Sequence, residues 1–365
     1  MEKTSMEFYS LDQILKEKAQ YNMIIGERSN GKTYAVLAYI LKKFWETGEQ
    51  GAYIRRWKED YRGKRGNQLF AGHSEFVSQL TNGEWDQVSY WNGRWYLGKY
   101  DSQLDKVVKH EEPFCFAFAI NDMEHDKSAS YPKVTTIAFD EFLTRGYYLK
   151  NEFVLFMNVL STIIRYRDNV KIFMMANTVN KYAPYFKEMG LKNVPEMRPG
   201  TIEVYSYGKS KLKVAVERCK STNEKAKKSN KYFAFDNPGL QMITGGAWEI
   251  DLYPHLMVEY ERINIMFVYF IIFEDQTLQC EIIVKDGCKF TYIHRKTSPI
   301  KDPDRDIIFC PDYDPRPNYI RNMRRPHSEL AAKIIDDFRN DKVFYQDNEV
   351  GEIVRNYLNF CLKEA

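Results

Sequence analysis

The run Gly26-Glu27-Arg28-Ser29-Asn30-Gly31-Lys32-Thr33 has residue types and spacing suited to holding a phosphate chain. It reads G-x-x-x-x-G-K-T, a phosphate-binding loop. Gly26 and Gly31 let the backbone curl, so that N–H groups across Arg28, Ser29 and Asn30 can turn inward toward phosphate oxygens. A helix starting just after the loop adds the positive end of its dipole. Lys32 brings a charge to the outer phosphates, and Thr33 offers a hydroxyl to Mg²⁺.

A second set of residues supplies acids. Val134-Thr135-Thr136-Ile137-Ala138-Phe139 is β-branched and apolar, and it ends in Asp140-Glu141. Asp140 at a strand tip can hold the metal ion, and Glu141 beside it can polarise an attacking water as general base. Many strands end in an acidic pair, and the pattern gains meaning from the phosphate loop upstream. Asn177 closes a further apolar run, Val170–Ala176. Its side chain reaches the terminal phosphate only if that strand lies beside the acidic one; otherwise it is a turn residue. Arg165 and Arg167 end a predicted helix, 151–167. An arginine there serves either a surface ion pair or a neighbouring subunit's nucleotide.

The elements that must position these groups are legible. Tyr21–Ile25 suits a short buried strand, and Val36, Leu37, Ile40, Leu41 and Phe44 recur at helical spacing after the loop. Gly51–Trp57 reads as a second strand, and Asn92-Gly93 between apolar runs marks a hairpin. Alternating strands and helices through this half predict a largely parallel sheet covered on both faces. Thr201–Tyr207 and Leu212–Val216 read as two short strand-like runs forming a small lid at the edge of the nucleotide domain, and the lysine-rich stretch 209–231 as a basic linker. Beyond it come strands at Ile263–Phe273, Leu278–Val284 and Phe290–His294, a helix from Ser328, a strand at Lys342–Gln346 and a last helix. That order is the order of an RNase H-like fold. Nucleases of that fold need clustered carboxylates for two metals. Ile265–Phe273 holds no acid, Glu274 and Asp275 come only at the turn, and Asp347 is as well explained as a helix cap. A nuclease-like scaffold without nuclease activity is the expectation.

Composition bounds the rest. The chain of 365 residues, 44% hydrophobic and 15% aromatic, can build about two packed domains. Its net charge of +3 does not by itself force a nucleic-acid partner, so such a partner must be argued locally. Arg55, Arg56, Lys58, Arg62 and Lys64 interleave with Trp57 and Tyr61 and are candidates for gripping DNA phosphates. The six cysteines form no C-x-x-C pair and the histidines no zinc spacing. No signal-peptide core or transmembrane run is present, so no membrane role is expected.

With these motifs in place, the sequence resembles the genome-packaging ATPases of small short-tailed phages, the phi29-like terminase motors. The resemblance covers nearly the whole chain and is densest over 21–180. It rests on the phosphate loop, the strand ending Tyr53-Ile54-Arg55-Arg56, and Lys127-Ser128 ahead of Tyr131–Phe142. Asn151-Glu152, Arg165-x-Arg167 and the strand ending at Asn177 complete it. It implies an α/β architecture: a P-loop ATPase domain of the additional-strand, catalytic-glutamate type over 1–208, a linker over 209–231, and a vestigial RNase H-like domain over 232–365. It implies ATP and Mg²⁺ as cofactors, with Lys32 and Thr33 on phosphate and metal, Asp140 on metal and Glu141 activating water. Arg165 would be an arginine finger acting in trans, with Lys127 a second candidate. The implied assembly is a homopentameric ring at the portal vertex of a procapsid in the host cytoplasm, moving double-stranded DNA inward. Some members of that family dock on a structural RNA, which the sequence leaves open. The linker is longer and richer in lysine than the family pattern, and Ser298–Pro326 looks like an insertion. Alternatives are a terminase that also cleaves DNA, and another P-loop enzyme such as a helicase or nucleotide kinase.

Overall fold

The computed structural model describes residues 9–122, 129–146, 148–220, 248, 251–325 and 328–363. The chain forms two compact units, Met1–Glu249 and Ile250–Ala365.

In the first unit a short helix α1 (Asp12–Lys16) leads to strand β1 (Tyr21–Gly26), helix α2 (Lys32–Thr47) and strand β2 (Gln50–Arg55). Helices α3 (Lys64–Leu69) and α4 (Ser74–Leu80) follow, then β3 (Gln87–Trp91), β4 (Arg94–Asp101), β5 (Lys106–Lys109) and β6 (Cys115–Ala119). The unit continues through β7 (Val134–Asp140), α5 (Glu152–Ile164), β8 (Lys171–Asn177), α6 (Pro184–Glu188), β9 (Thr201–Tyr207) and β10 (Leu212–Arg218).

The sheet order is β3-β4-β6-β2-β7-β8-β1-β10-β9, with β5 on β4. The middle of it, from β6 to β10, is parallel, and the antiparallel pairs lie at its two ends. β1 and β7 are apolar along nearly their whole length because both faces of a parallel sheet are covered. Alternation divides them between two cores. Met23, Ile25, Ile54 and Phe139 pack with α5 residues Phe156 and Leu160. Ile24, Tyr53 and Ala138 pack with α2 residues Val36, Leu37 and Ile40. α2 stops where Gly48, at φ +73°, returns its N–H to the Phe44 carbonyl.

Three expectations change here. Leu212–Arg218 is neither lid nor linker: β10 pairs in parallel with β1, and Val214, Ala215 and Val216 are fully buried. The strand-like run was legible in the sequence, but its pairing with β1 in the main sheet was not. β9 then pairs antiparallel to it as the edge strand. Of the predicted linker, 221–231 lies outside the described residues, and the compact units divide at Glu249/Ile250 rather than at 208 and 232.

In the second unit β11 (Ile265–Phe273), β12 (Gln276–Lys285) and β13 (Cys288–Arg295) form an antiparallel meander. Asp286 and Gly287 both have positive φ, as a two-residue hairpin turn requires. Two-residue strands β14 (Ile308–Phe309) and β15 (Tyr319–Ile320) come next, then α7 (Glu329–Arg339), β16 (Val343–Tyr345) and α8 (Asn348–Lys363). Ser328 caps α7 by accepting from the Ala331 N–H. The sheet order is β15-β14-β11-β12-β13-β16. The strand predicted at Lys342–Gln346 therefore sits beside β13, and the place next to β11 belongs to β14. Asp347 is thereby separated from β11 by two strands. Its carboxylate caps α8 at the Val350 N–H and pairs with Arg295. This is the structural role, not a metal site beside the first strand.

Candidate functional site

Parallel strands bring their carboxyl ends to one edge of the sheet, and a ligand crevice forms where loops leave that edge. In the first unit β1, β7 and β8 all end there. β8 lies between the other two: Asn177 is level with Gly26 on β1, and Met175 is level with Asp140 on β7. The condition set for Asn177 is met, since its strand borders the one that carries the acids.

The loop between β1 and α2 is built as a cradle. Ser29 and Gly31 have φ values of +60° and +90°. Left-handed residues alternating with ordinary ones turn successive N–H groups to one side, which makes an anion-binding concavity. Gly26 has a different reason to be glycine. A Cβ there would stand 2.8 Å from Cys219 Cβ. The Lys32 ammonium is folded into the cradle, donating to Glu27 O (2.6 Å), Asn30 Oδ1 (3.0 Å) and Asn177 Oδ1 (3.3 Å). Burial lowers its pKa to about 8, although Asp140 and Glu27 pull the other way.

The acids meet this cradle from β7. Thr33 Oγ1 donates to Asp140 Oδ1 at 3.1 Å, and Tyr53 OH donates to Asp140 Oδ2 at 2.9 Å. Burial raises the Asp140 pKa, opposed by the Arg55 charge and the Tyr53 and Thr33 hydroxyls. Glu141 is a non-glycine residue at φ +56°, a conformation that costs about 1–3 kcal/mol and is held by the surrounding structure. Arg55 Nη2 donates to Glu141 Oε2 at 2.7 Å, its Nη1 lies 3.5 Å from Asp140 and its Nε donates to Asp60. The resulting cleft has a volume of about 270 Å³. It is lined by Ser29 through Tyr34, Asp140, Glu141, Ala176 and Asn177.

Thr33 and Asp140 together present only oxygen donors, the ligand type of a hard cation such as Mg²⁺. Mg²⁺ bound with a nucleotide takes one or two protein carboxylates and completes its shell from phosphate and water. The pair therefore fits that ion. Among the described residues there is no group of three or more metal-binding side chains.

Several predicted residues fall elsewhere. Arg56 is buried, not a DNA contact: it forms a bidentate pair with the fully buried Glu152 carboxylate at 2.8 and 2.9 Å. It also donates to the carbonyls of Glu141 and Phe142. Arg55 pairs with the cleft acids Asp140 and Glu141 rather than standing free for DNA. Lys58 pairs with Asp122, while Arg62 and Lys64 are exposed. Arg28 is exposed and does not line the cleft. Arg165 ends α5, which runs back from the carboxyl edge of the sheet. The 13 residues of α5 span about 20 Å at 1.5 Å each. Arg165 therefore stands at the far edge, with its Nη2 on the Ala129 carbonyl at 2.6 Å. Arg167 staples that edge by donating to the carbonyls of Tyr131, Pro132, Val134, Ile163 and Ile164. Lys127 lies outside the described residues. Tyr61 is core beside Trp95 and does not interleave with charges on a surface.

Tyr53 and the role of Arg55 were not foreseen. Positions 53 and 55 share a strand face, so alternation offered a signal, but only pairing with β7 gave them a target.

The fold and cleft define a two-unit α/β protein. Its glycine-turned anion cradle and acidic pair share the carboxyl edge of a mostly parallel sheet. A model of the family described as Podovirus DNA encapsidation protein (Gp16) matches residues 1–359, and the chain belongs to that family. The DNA packaging protein of Bacillus phage B103 is 31% identical over 179 residues, which are 48% of this chain and 49% of that protein. The DNA packaging protein of Bacillus phage phi29 is 29% identical over 182 residues, 49% of each. The chain thus spans about half the length of the curated relatives it matches. Among solved structures, the Phi-28 gp11 DNA packaging motor superposes with a TM-score of 0.53 at 15% identity over 98% of both chains. The bacteriophage Phi-29 viral genome packaging motor assembly gives 0.52 at 20% identity over 96% of both. At these identities the likeness is one of fold.

Proposed function

We propose that this chain is the ATP-hydrolysing subunit of a motor that moves viral double-stranded DNA into a preformed procapsid. The observation that carries the reading is the meeting of Lys32, Thr33, Asp140, Glu141 and Asn177 in one cleft, with β8 between β1 and β7. That inserted strand and the acid beside Asp140 support a P-loop fold of the additional-strand, catalytic-glutamate type. Membership of a DNA encapsidation family, and relatives named as DNA packaging proteins, supply the cargo.

In this reading the cradle and Lys32 bind the phosphates of ATP, and Thr33 and Asp140 hold Mg²⁺, which neutralises phosphate charge when bound. Asn177 orients the terminal phosphate. Glu141 is the general base for the attacking water, and Arg55 positions its carboxylate. Arg165 follows the last residue of α5, at the end of that helix away from the carboxyl edge of the sheet, so it serves a neighbouring subunit in a ring, a pentamer by family resemblance. Lys127 is a second candidate for that contact. DNA is held through phosphates, with Arg62 and Lys64 as candidates. The second unit is a vestigial RNase H-like scaffold, and the motor works at the portal vertex in the host cytoplasm. The decisive measurement is ATP hydrolysis by the purified chain with and without double-stranded DNA and portal-bearing procapsids. Stimulation by DNA of any sequence, falling steeply with salt, is expected. Hydrolysis indifferent to DNA even with procapsids present overturns the proposal.

A further inference from the structure

The residue after the phosphate loop is an aromatic with an unusual support. Tyr34 lies in the first turn of α2 and lines the cleft, yet its side chain is 44% exposed. Its ring stacks on the His73 imidazole, with centroids 4.0 Å apart and planes 12° from parallel. His73 is buried, and its Nε2 lies 3.1 Å from the Tyr34 carbonyl. That contact requires the proton on Nε2 and leaves Nδ1 as an acceptor. Among the described residues Nδ1 has no partner, an arrangement that costs about as much as any buried unsatisfied acceptor. Below His73 lies the fully buried Phe70, at 5.5 Å, which is tied by ring contacts to Phe114 and Trp95. Tyr34 is therefore the outer member of a ladder of rings rooted in the core. One of its faces is covered, and its exposure is at the rim of the cleft.

The cleft needs such a rim. At about 270 Å³ it falls below the roughly 300–1,000 Å³ of pockets that enclose a whole small ligand. Asp140, Glu141 and Asn177 mark the end where the terminal phosphate lies. The base of a nucleotide must then extend past the opposite end of the phosphate chain, where the protein passes from the loop into α2. Tyr9, whose N–H donates to the Asn30 carbonyl of the loop, is committed to Glu217 through its hydroxyl at 2.6 Å and does not line the cleft.

We infer that Tyr34, braced by His73, is the platform on which the nucleobase stacks, and that it gives the site a preference for purine over pyrimidine triphosphates. The inference rests on the cleft being the nucleotide site. Selectivity comes from area: a purine covers more of a flat ring than a pyrimidine does, while the phosphates are held alike. Base–aromatic stacking is removed by alanine at a cost that corresponds to about tenfold in affinity.

The test compares the full chain with its Tyr34→Ala and Tyr34→Phe variants. Affinities are measured for ATP, GTP, CTP, UTP and inorganic tripolyphosphate. The unaltered chain should bind ATP and GTP about threefold more tightly than CTP and UTP, since every base stacks and the purine only covers more of the ring. Tyr34→Ala should lose that gap and weaken ATP about tenfold, while tripolyphosphate, which has no base, binds both chains alike. Tyr34→Phe should recover the gap. As a second readout, the indole emission of a Tyr34→Trp variant should be quenched by ATP and not by tripolyphosphate. A Tyr34→Ala chain that keeps its purine preference overturns the inference. So does one that loses tripolyphosphate as much as ATP, since Tyr34 would then only support the loop. An unaltered chain that binds neither ATP nor tripolyphosphate instead removes the nucleotide reading, and this inference with it.

Discussion

The two units differ in one pair of acids, since Glu152 of the first is enclosed by Arg56 and Tyr185 much as the buried acids of the second are enclosed. In the second, each buried carboxylate is enclosed by groups of its own sheet and helices. Glu281 accepts from Tyr260 and Gln279, Asp337 from Thr291 and Lys289, and Glu352 from Tyr253 and Asn356. In the first, Asp140 and Glu141 open onto a cleft with a phosphate-type loop, and Glu141 sits on strained backbone with an exposed carboxylate. Acids enclosed by their own fold contribute stability and specificity of packing. Acids that face a cleft beside a lysine and a phosphate-type loop are arranged for a ligand rather than for packing. The contrast places the chemistry in the first unit and a structural role in the second.

The largest effect should come from Glu141→Gln. It removes the base while keeping shape, so hydrolysis should fall about 10²–10⁴-fold with ATP still bound. Paired hydrolysis and binding assays check this, and retained hydrolysis would falsify the role of Glu141. Arg56→Ala, one residue from the cleft arginine, should act on stability instead. It leaves Glu152 buried without its charge partner, at about 3–5 kcal/mol, read from denaturant unfolding. If the change alters salt-dependent DNA binding without altering stability, Arg56 is not the buried strut described.

Glu281→Gln tests the second unit. Burial pulls the Glu281 carboxyl up, but hydrogen bonds from His294, Tyr260 and Gln279 outweigh it and hold the pKa down to about 2. The His294 pKa is raised, first by its hydrogen bond to Glu281. The signs differ. The Glu281 contribution is present above its ordinary value of 4.5 and is lost as pH falls toward 2. The His294 contribution is complete below 6.5 and is lost as pH rises through its higher folded value. This cluster should therefore stabilise most between pH 4.5 and 6.5. Glu281→Gln should flatten that maximum and cost about 1–3 kcal/mol, while ATP hydrolysis is unchanged. Thermal melts across pH measure it; an unaltered profile would show the cluster to be incidental.

A smaller effect concerns Lys32. With its pKa lowered to about 8, the empty loop loses that charge above pH 8, and a bound triphosphate restores it. ATP affinity should fall by up to about tenfold per pH unit above 8, with net proton uptake seen by calorimetry in buffers of different ionisation heat. The smallest effect is at the surface. Arg62→Ala and Lys64→Ala should each change stability by less than about 0.5 kcal/mol and reduce the salt slope of DNA binding by about 1. Unchanged slopes would move the DNA contact elsewhere.

The sequence by itself determined what lies close along the chain. The loop from Gly26 to Thr33, the strand that ends at Asp140-Glu141 and the helical stripe of α2 are local patterns, and local patterns fix backbone conformation and which face is buried. Asn177 was legible only conditionally, because its meaning depended on which strand β8 would neighbour. The run Leu212–Val216 was legible as a strand, but its place was not: pairing with β1, distant along the chain, makes it part of the main sheet rather than a lid.

Tertiary structure alone decided the partnerships. Arg55 and Glu141 are 86 positions apart, Arg56 and Glu152 96, and Tyr34 and His73 39. Sequence proximity brings none of these pairs together, and they meet because strand order and crossovers bring distant segments to one edge. Adjacent arginines consequently received different tasks. Arg55, the last residue of β2, reaches the cleft acids, while Arg56, just past the strand end, turns into the core. The phosphate loop states that an anion can be held. The order β2-β7-β8-β1 decides which acids, which arginine and which aromatic ring it is held among.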